Sequence, residues 1–582
     1  MLFIRLAAAL RCNILHGQPP TYDMSRPPTT LPEQVKEFLH CSVSIALEDI
    51  DICWKAVKQT VWSLDATAHA SAADARLSHS YRNRISTQAL YPPVLKCTDP
   101  LCSATDKLLR GGDKSEKKIV LYTIGDGMCA TYHHQLWCLG CRTVYHHNYA
   151  VKNGVQTYYG GVPGVIEIGK HHYVEKAEIN MFINLMLISW TSACNSAEIY
   201  NWSLMDPNNQ PEDWGLSFKF RPEHIWHSLI YLSILAWYAA EGNILMVSND
   251  EEQKDQLLDA ITEWNNQFEK QRQPEWAQYC LKCVWFWKDS NGNISEMASA
   301  IVSDGITIGH PCCNVAHCEE PLANCKIDRF CQRHASCNSV CAIDGCEYSI
   351  SPGYKTCSDP DHCELENIQC WCNKANFQTR SRLERGCVSA PPDATTLDQI
   401  MQDGDAPDEG IEEGSCLQKP ATGNRRIIAH LGQRQTHSKQ FMVRLYGVIV
   451  ARATFFDSET VPQTVNMLHQ VFCTEGSLPQ YFIYDNCCSV YNHLVALSDN
   501  LLDRMAFPVN AFHFNCKNKK TNIICQKHCN PRKFPDLIKI DGSWYFNSSK
   551  CEQVNVWLGG YHAILREMSQ NRYNFLLDEL IM

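Results

Sequence analysis

A chain of 582 residues is longer than one hydrophobic core supports, so several domains are expected. Its 45% hydrophobic and 10% aromatic content excludes a largely disordered polymer, and a net charge of −11 excludes a surface coated uniformly for nucleic acid while leaving room for local basic faces. Thirty-two cysteines exceed what packing requires and pose a choice between disulfides and zinc.

The opening "MLFIRLAAAL" is short and interrupted by Arg5, and does not read as a secretion signal. "MFINLMLISW" and "LIYLSILAWYAA" fall short of the roughly 20 apolar residues that span a bilayer. They read as buried helices, and no membrane partner is expected. In the N-terminal helical region, 1–89, apolar side chains recur near a 3.6 period over 33–63 and predict one helix. A cysteine-bearing module follows over 90–205, with strands to about 160 and a helical pattern from about 172. The region 206–297 predicts helices at 222–241 and 251–272, with Pro274 standing at the start of another in "PEWAQYCLKCVWFW". A strand is expected within 298–309, a cysteine and histidine block over 310–388, and an acidic, Pro- and Gly-rich linker over 389–424. The remainder, 425–582, reads as two strands around Gly447, a helix (459–473), a strand (480–485), a helix (489–504), a strand (508–514) and a long helix (549–578). No internal repeat is found.

The cysteines stand in C-x2-C, C-x4-C and C-x2-H pairs, which is zinc spacing. Cys97 and Cys102 with Cys138 and Cys141 predict one zinc-ribbon-like site. Cys313/Cys318, Cys331/His334, Cys341/Cys346 and Cys357/His362 make four pairs, enough for two ions; a cross-braced arrangement, first pair with third and second with fourth, is the expectation. Four protein ligands leave no open position, so these sites read as structural. Cys280 and Cys283 lack a clear second pair. His513, Cys516, Cys525 and His528 form a further zinc candidate, with Cys529 adjacent, inside a run carrying six basic residues and no acidic one. That run, and the basic stretch 425–444, read as phosphate-contacting faces.

Asp304 closes a strand, Asp485 closes another in "FIYDNCC", and Glu552 lies in the first turns of the last helix behind Ser548 or Ser549. The order β-β-β-α-β-α-β-α is that of an RNase H-like fold, in which the first and fourth strands are neighbours. Asp304 and Asp485 then lie side by side, and Glu552 is brought to them by its helix. Three acids at one point repel unless divalent cations relieve them, and two Mg2+ or Mn2+ ions suit phosphodiester chemistry. Asp457 and Glu459 are rival carboxylates.

"VSDGITIGHPCC", "FIYDNCC", "AFHFNCKNKKTNIICQKHCNPRKFP" and "WYFNSSKCEQVNVWLGGYHAILREM" resemble the KDZ (Kyakuja-Dileera-Zisupton) transposases. "LYPPVLKCTDPLC…WCLGCRTVYHHNY" and the cysteine runs from His310 to Cys363 are similar to the CxC-type clusters that accompany KDZ domains in basidiomycete fungi. The resemblance implies a DDE-type transposase with Asp304, Asp485 and Glu552 as its catalytic acids. It also implies transposon ends and target DNA as partners, three or more structural Zn2+, two catalytic Mg2+ or Mn2+, and a nuclear location. It leaves a homo-oligomer open. The expected architecture is α+β and multidomain: an RNase H-like α/β domain interrupted by a zinc-cluster insertion, preceded by a zinc-ribbon-like module and helices. The acidic loop 398–413 would shield the site when DNA is absent. Two other readings stand beside this one: an inactive or domesticated derivative that binds DNA or protein, and a RING-like ubiquitin ligase, which the C-x4-C spacing disfavours.

Overall fold

The structure is a computed structural model that describes the chain apart from residues 1, 17, 19–21, 65–87, 112–115, 206–209, 212, 252–254, 272–283, 289, 373–428, 475–476, 517–522, 540 and 546. The acidic linker, Pro274, Cys280 and Cys283 lie outside the described residues. The chain divides into two compact units, one of residues 1–271 with 574–582 and one of residues 272–573. Among the described residues no helix is long and apolar enough to cross a membrane.

The first unit opens with helices Leu2–Ala9, Arg11–His16, Glu33–Val43 and Leu47–Ser63, packed around Phe38 and Trp54. The single helix expected over 33–63 is therefore two. Ser44 takes a left-handed conformation at φ 57° and its N–H caps His40, while His40 Nδ1 lies 2.6 Å from the Ile45 carbonyl. That local bonding outcompetes the helical ladder. The cysteine module then builds two sheets. One has the order Gly127–His134, Glu116–Thr123, His172–Glu175, Val165–Gly169. The other runs Leu136–Trp137, Val144–Tyr145, Tyr149–Lys152, Val155–Tyr158, Met246–Ser248. Helices Lys176–Ser189, Ala193–Leu204 and Pro222–Ala240 bury the aromatic cluster of Phe182, Tyr200 and Phe220 with Tyr122; the second apolar run is largely core, whereas the first buries Phe182 and Met186 and leaves Ile188 and Trp190 exposed.

The second unit is organised on the 13-residue strand Ile294–Ile306. Residues Ile301–Ile306 pair antiparallel with Ser438–Arg444, which pairs antiparallel with Ile449–Phe455. Residues Ala300–Val302 also pair in parallel with Tyr481–Ile483, so the long strand lies between the hairpin and this later strand. The hairpin turns at Gly447, whose φ of 106° only glycine adopts cheaply. Helix Val461–Val471 starts with a capping box between Thr460 and Gln463. With helix Cys487–Leu497 it covers the sheet, burying Val465, Leu468, Val490 and Leu494 against Phe482.

Four further expected elements differ. Residues Val284–Lys288 form a strand paired with Ile294–Ser299, not the end of a helix. The cause is the Asn291-Gly292 turn, with Gly292 at φ 83°. The strand expected at 508–514 is instead the helix Ala511–Cys516, with a parallel bridge at Ala506 beside Tyr481. Asn510 Oδ1 accepts from the Phe512 N–H at 3.0 Å and turns the chain. Helix 489–504 is split into Cys487–Leu497 and Leu501–Arg504 by Ser498 at φ 51°. The long last helix is broken into Lys550–Gly559, His562–Leu565 and Gln570–Ile581, the first break falling at Gly559-Gly560.

Candidate functional site

Three cysteine and histidine groups are drawn together, each with its ligand atoms within 4.8 Å of one another: Cys97, Cys102, Cys138 and Cys141; Cys313, Cys318, Cys331 and His334; Cys341, Cys346, Cys357 and His362. For a tetrahedral ion with Zn–S near 2.3 Å and Zn–N near 2.05 Å, ligand edges should be about 3.8 Å (S–S) and 3.5 Å (S–N). The observed edges agree. Cys97–Cys141 and Cys102–Cys138 are 3.5 Å apart, and Cys318–Cys331 and Cys346–Cys357 are 3.8 Å. His334 Nδ1 lies 3.5 Å from Cys313 and 3.3 Å from Cys331; His362 Nδ1 lies 3.6 Å from Cys341 and 3.3 Å from Cys357. All three groups fit zinc. The cross-braced pairing is corrected: consecutive pairs share a site, first with second and third with fourth. Each loop closes on itself within a few turns of chain, which orders fewer residues than interleaving would.

The fourth zinc candidate falls partly outside the described residues, and its described members are engaged separately. Cys525 is disulfide-bonded to Cys488, His528 stacks on Tyr491 with ring centroids 4.6 Å apart, and the side chain of Cys516 lies outside the described residues. His513 goes elsewhere. Its Nδ1 is 2.5 Å from Asp485 Oδ1 and 3.4 Å from Glu552 Oε1, and these three residues form a potential metal-binding group within 4.8 Å.

The scaffold explains this convergence. Asp304 sits inside the long strand opposite Phe441 and is half-buried. Asp485 follows strand Tyr481–Ile483, the parallel neighbour of the Asp304 strand. Glu552 is in the first turn of Lys550–Gly559, a helix packed on both Ile294–Ile306 and Ser438–Arg444. Ser549 is the N-cap but its side chain makes no capping bond. Ser548 instead accepts from the Ala511 N–H at 3.3 Å and donates to Asn510 Oδ1 at 3.0 Å. Asn510 Nδ2 in turn donates to Glu552 Oε1 at 2.8 Å. One turn beyond Glu552, Asn555 Nδ2 donates to Asp304 Oδ2 at 2.9 Å.

Burial, then the nearby Asp485 charge, push Asp304 up to about 7; the Gly305 N–H opposes this, and Glu552 and Glu459 add to it. Asp304 therefore senses three other carboxylates. Glu459 is one of the rivals read from sequence, and it faces this site: a Cβ on Gly305 would sit 3.2 Å from its Oε2, while its Oε1 accepts from the Tyr484 hydroxyl. The other rival, Asp457, is engaged by Arg434 and by His317 at 2.6 Å. Of the basic stretch 425–444, Arg425 and Arg426 lie outside the described residues, and two described members depart from expectation. Lys439 is fully buried over the Tyr573 ring and Arg434 is held by Asp457, so neither is a surface phosphate contact. Arg532 and Lys533 of the second basic run are exposed.

The molecule is thus a mixed α+β protein that combines, among the described residues, three cysteine-based groups that fit zinc with a separate carboxylate and histidine group. Two family models match it: the CxC5 like cysteine cluster associated with KDZ transposases, over residues 85–204, and the CxC6 like cysteine cluster associated with KDZ transposases, over residues 302–368. They bear out the KDZ resemblance drawn from the sequence: the chain carries two cysteine clusters of the kind associated with KDZ transposases. No curated protein and no solved structure matches the chain.

Proposed function

We propose that the second unit is a DDE-type catalytic domain that cuts and joins DNA strands, with Asp304, Asp485 and Glu552 as its acidic residues. The observation that carries this is the gathering of Asp485, Glu552 and His513 within 4.8 Å beside an Asp304 that senses their charge. The sheet supports it: hairpin, long strand, parallel fourth strand and a parallel bridge at Ala506 follow the order of an RNase H-like fold. The KDZ-associated clusters support DNA as the partner, and a nuclear location follows from that.

The donor set fits hard divalent cations: the Asp485 and Glu552 carboxylates share one group, and Asp304 beside it feels both charges, which with burial raise it to about 7. Asp304, Asp485 and Glu552 would hold Mg2+ or Mn2+; His513, as a nitrogen donor, favours a first-row transition ion over Mg2+. Such ions, when bound, lower the pKa of a water or hydroxyl nucleophile and neutralise charge on the scissile phosphate. The chain's own residues supply position. Asn510 and Asn555 orient Glu552 and Asp304 by hydrogen bonds, and His513 bridges Asp485 and Glu552. The cysteine clusters would scaffold the fold and the DNA-holding surface.

The deciding experiment is a strand-cleavage assay on the flanking element ends with Mg2+ or Mn2+. Metal-dependent nicking is expected; DNA binding without nicking favours the inactive, DNA-binding reading. Divalent-ion affinity should fall as the pH drops below about 7, because the ion must displace the Asp304 proton. For one competing proton the loss approaches about tenfold per pH unit on the acid side. Calorimetry across that window checks it, and a flat affinity removes Asp304 from the ligand set. Replacing Arg532 and Lys533 by alanine should lower the salt dependence of DNA binding by about one unit of slope for each phosphate no longer neutralised. An unchanged slope in filter-binding titrations places the DNA elsewhere.

A further inference from the structure

Among the described residues one pair of cysteines is bonded, Cys488 to Cys525, while 24 others are free thiols. Ten of those thiols belong to the three zinc-fitting groups and must stay reduced to hold an ion. A chain that keeps ten such ligands reduced matures where ordinary disulfides do not persist. A bridge found there is of the reversible, redox-sensing kind.

The bridge joins two elements that reach the acidic site from opposite directions along the chain. Cys488 stands in the first turn of helix Cys487–Leu497, three residues after Asp485. Cys525 opens the π-helical turn Cys525–Cys529, which packs on that helix. Such turns are rare and are frequent at functional sites. The Cys529 carbonyl accepts from the Val509 N–H at 2.9 Å. Val509 precedes Asn510, which donates to Glu552 Oε1 at 2.8 Å and starts the helix that aims His513 at Asp485. The bridge therefore closes a loop, with a sequence separation of 37, that carries both groups and returns to the neighbourhood of Asp485. Apolar burial holds the later part of this loop only lightly. Helix Ala511–Cys516 has six residues; Ala511 and, in part, Phe514 meet the core, whereas Phe512 is exposed, as are Ile523 and Ile524 just before the bridge. The covalent link is a main restraint on such a stretch.

We infer that the Cys488–Cys525 bridge is a redox-operated clamp on the acidic site. Closed, it fixes the π turn, and through Val509 it keeps Asn510 on Glu552 and His513 on Asp485. Opened, it releases that stretch and weakens divalent-ion binding. The opening agent is a dithiol reductant. One of its thiolates bonds to Cys488 Sγ, the less buried of the pair, and Cys525 leaves and takes up a proton. The second thiolate then bonds to the first sulfur of the reductant and displaces Cys488, which is protonated in turn. The bridge has gained two electrons and two protons, and the reductant ends as a disulfide. Cys529 does not compete for the bridge: burial pushes it up to about 12, and a protonated thiol is a poor nucleophile. The clamp on the loop stands on the bridge alone; its consequence for strand cleavage rests on the catalytic reading of the second unit.

The test equilibrates the zinc-loaded, full-length protein in glutathione buffers from the reduced to the oxidised end. A peptide pair linked through Cys488 and Cys525 is expected in mass spectra at the oxidised end and is absent at the reduced end. As the bridge closes, amide hydrogen exchange over 509–516 should slow. Mn2+ affinity, read by electron paramagnetic resonance, should rise by about tenfold, the effect of ordering the groups that support metal ligands. Cys488→Ser should hold the reduced values in every buffer. The two ends of the wild-type series need no variant, so the comparison stands even where the serine protein does not fold. No linked peptide in any buffer, or one that survives at the reduced end, overturns the switch. Equal exchange with the bridge open and closed overturns the clamp. Mn2+ binding in neither state overturns the metal-site reading, and exchange over 509–516 still decides the clamp.

Discussion

Asp485→Asn is expected to reduce metal-dependent strand cleavage by on the order of 10³-fold or more, while DNA affinity changes by less than about twofold. The asparagine keeps the size and polarity of the side chain and removes one negative charge. That charge is needed only where cations must be gathered. Asp485 lies against His513 and within 4.8 Å of the Glu552 ligand atom, so its loss dismantles the group. A thousandfold effect corresponds to about 4 kcal/mol of transition-state stabilisation, ordinary for one ligand of a metal centre. The fold should survive. Asp485 is half-exposed at the end of a buried strand, and its charge is one of the causes that raise Asp304. Removing that charge relieves repulsion, so the metal-free variant should melt at the same temperature or slightly higher. Thermal denaturation in chelator and a gel-based nicking assay read the two effects separately. Glu459→Gln is the contrast. Glu459 is hydrogen-bonded to the Tyr484 hydroxyl and is the last and smallest of the charges felt by Asp304, so its replacement should cost less than about tenfold. Persistent cleavage by Asp485→Asn would remove this site as the catalyst.

Pair spacing made the zinc groups legible, because a C-x4-C or C-x2-H turn already sets two ligands on one side of the chain. Which pairs meet was not legible: spacing is a local property and the meeting is set by chain path. The same limit explains His513. In sequence it stands three residues before Cys516, in H-x2-C spacing, and resembles a zinc ligand. In space the turn made by Asn510 aims it at Asp485. The strand expectation for "VNAFHF" failed because alternating apolar residues fit either period over six positions. The side-chain bond from Asn510 to the Phe512 N–H decided for the helix. Asp304 and Asp485 could be singled out because each closes an apolar strand run, and Glu552 because it follows a capping serine at a helix start. Asn510 and Asn555 could not, although Asn555 stands one helical turn beyond Glu552 and so on the same face. The Val284–Lys288 hairpin did carry a local signal, the Asn291-Gly292 pair, which favours a tight turn between strands.

Cys341→Ser is expected to release one zinc per chain and to unfold its own loop while leaving the neighbouring cluster loaded. The prediction rests on the consecutive pairing. Cys341, Cys346, Cys357 and His362 close one loop, and Cys313, Cys318, Cys331 and His334 close another, with no ligand shared. In the cross-braced alternative the chain segments interleave, and loss of one ion would destroy both. The apolar core of the loop is slight: Cys341, Ile343 and Cys357 are buried, with Cys346, Leu365 and Ala429 packed against them. Two of the three buried members are metal ligands. Burying such a cluster yields only a few kcal/mol at roughly 25 cal/mol per Å², whereas binding of a structural zinc is worth on the order of 10 kcal/mol. The metal thus holds the loop, and serine, a poor zinc ligand, removes that hold. Elemental analysis of the purified wild type should return at least three zinc ions per chain, one for each described cluster. The variant should return one fewer and gain protease cleavage sites between 341 and 362. The 313–334 loop should stay protected, because its Arg329 and Asn314 remain bonded to the backbone of His430. A loss of two ions together, or of none, would contradict the pairing. Cys331→Ser gives the reciprocal result if the loops are independent, with the 341–362 cluster keeping its ion.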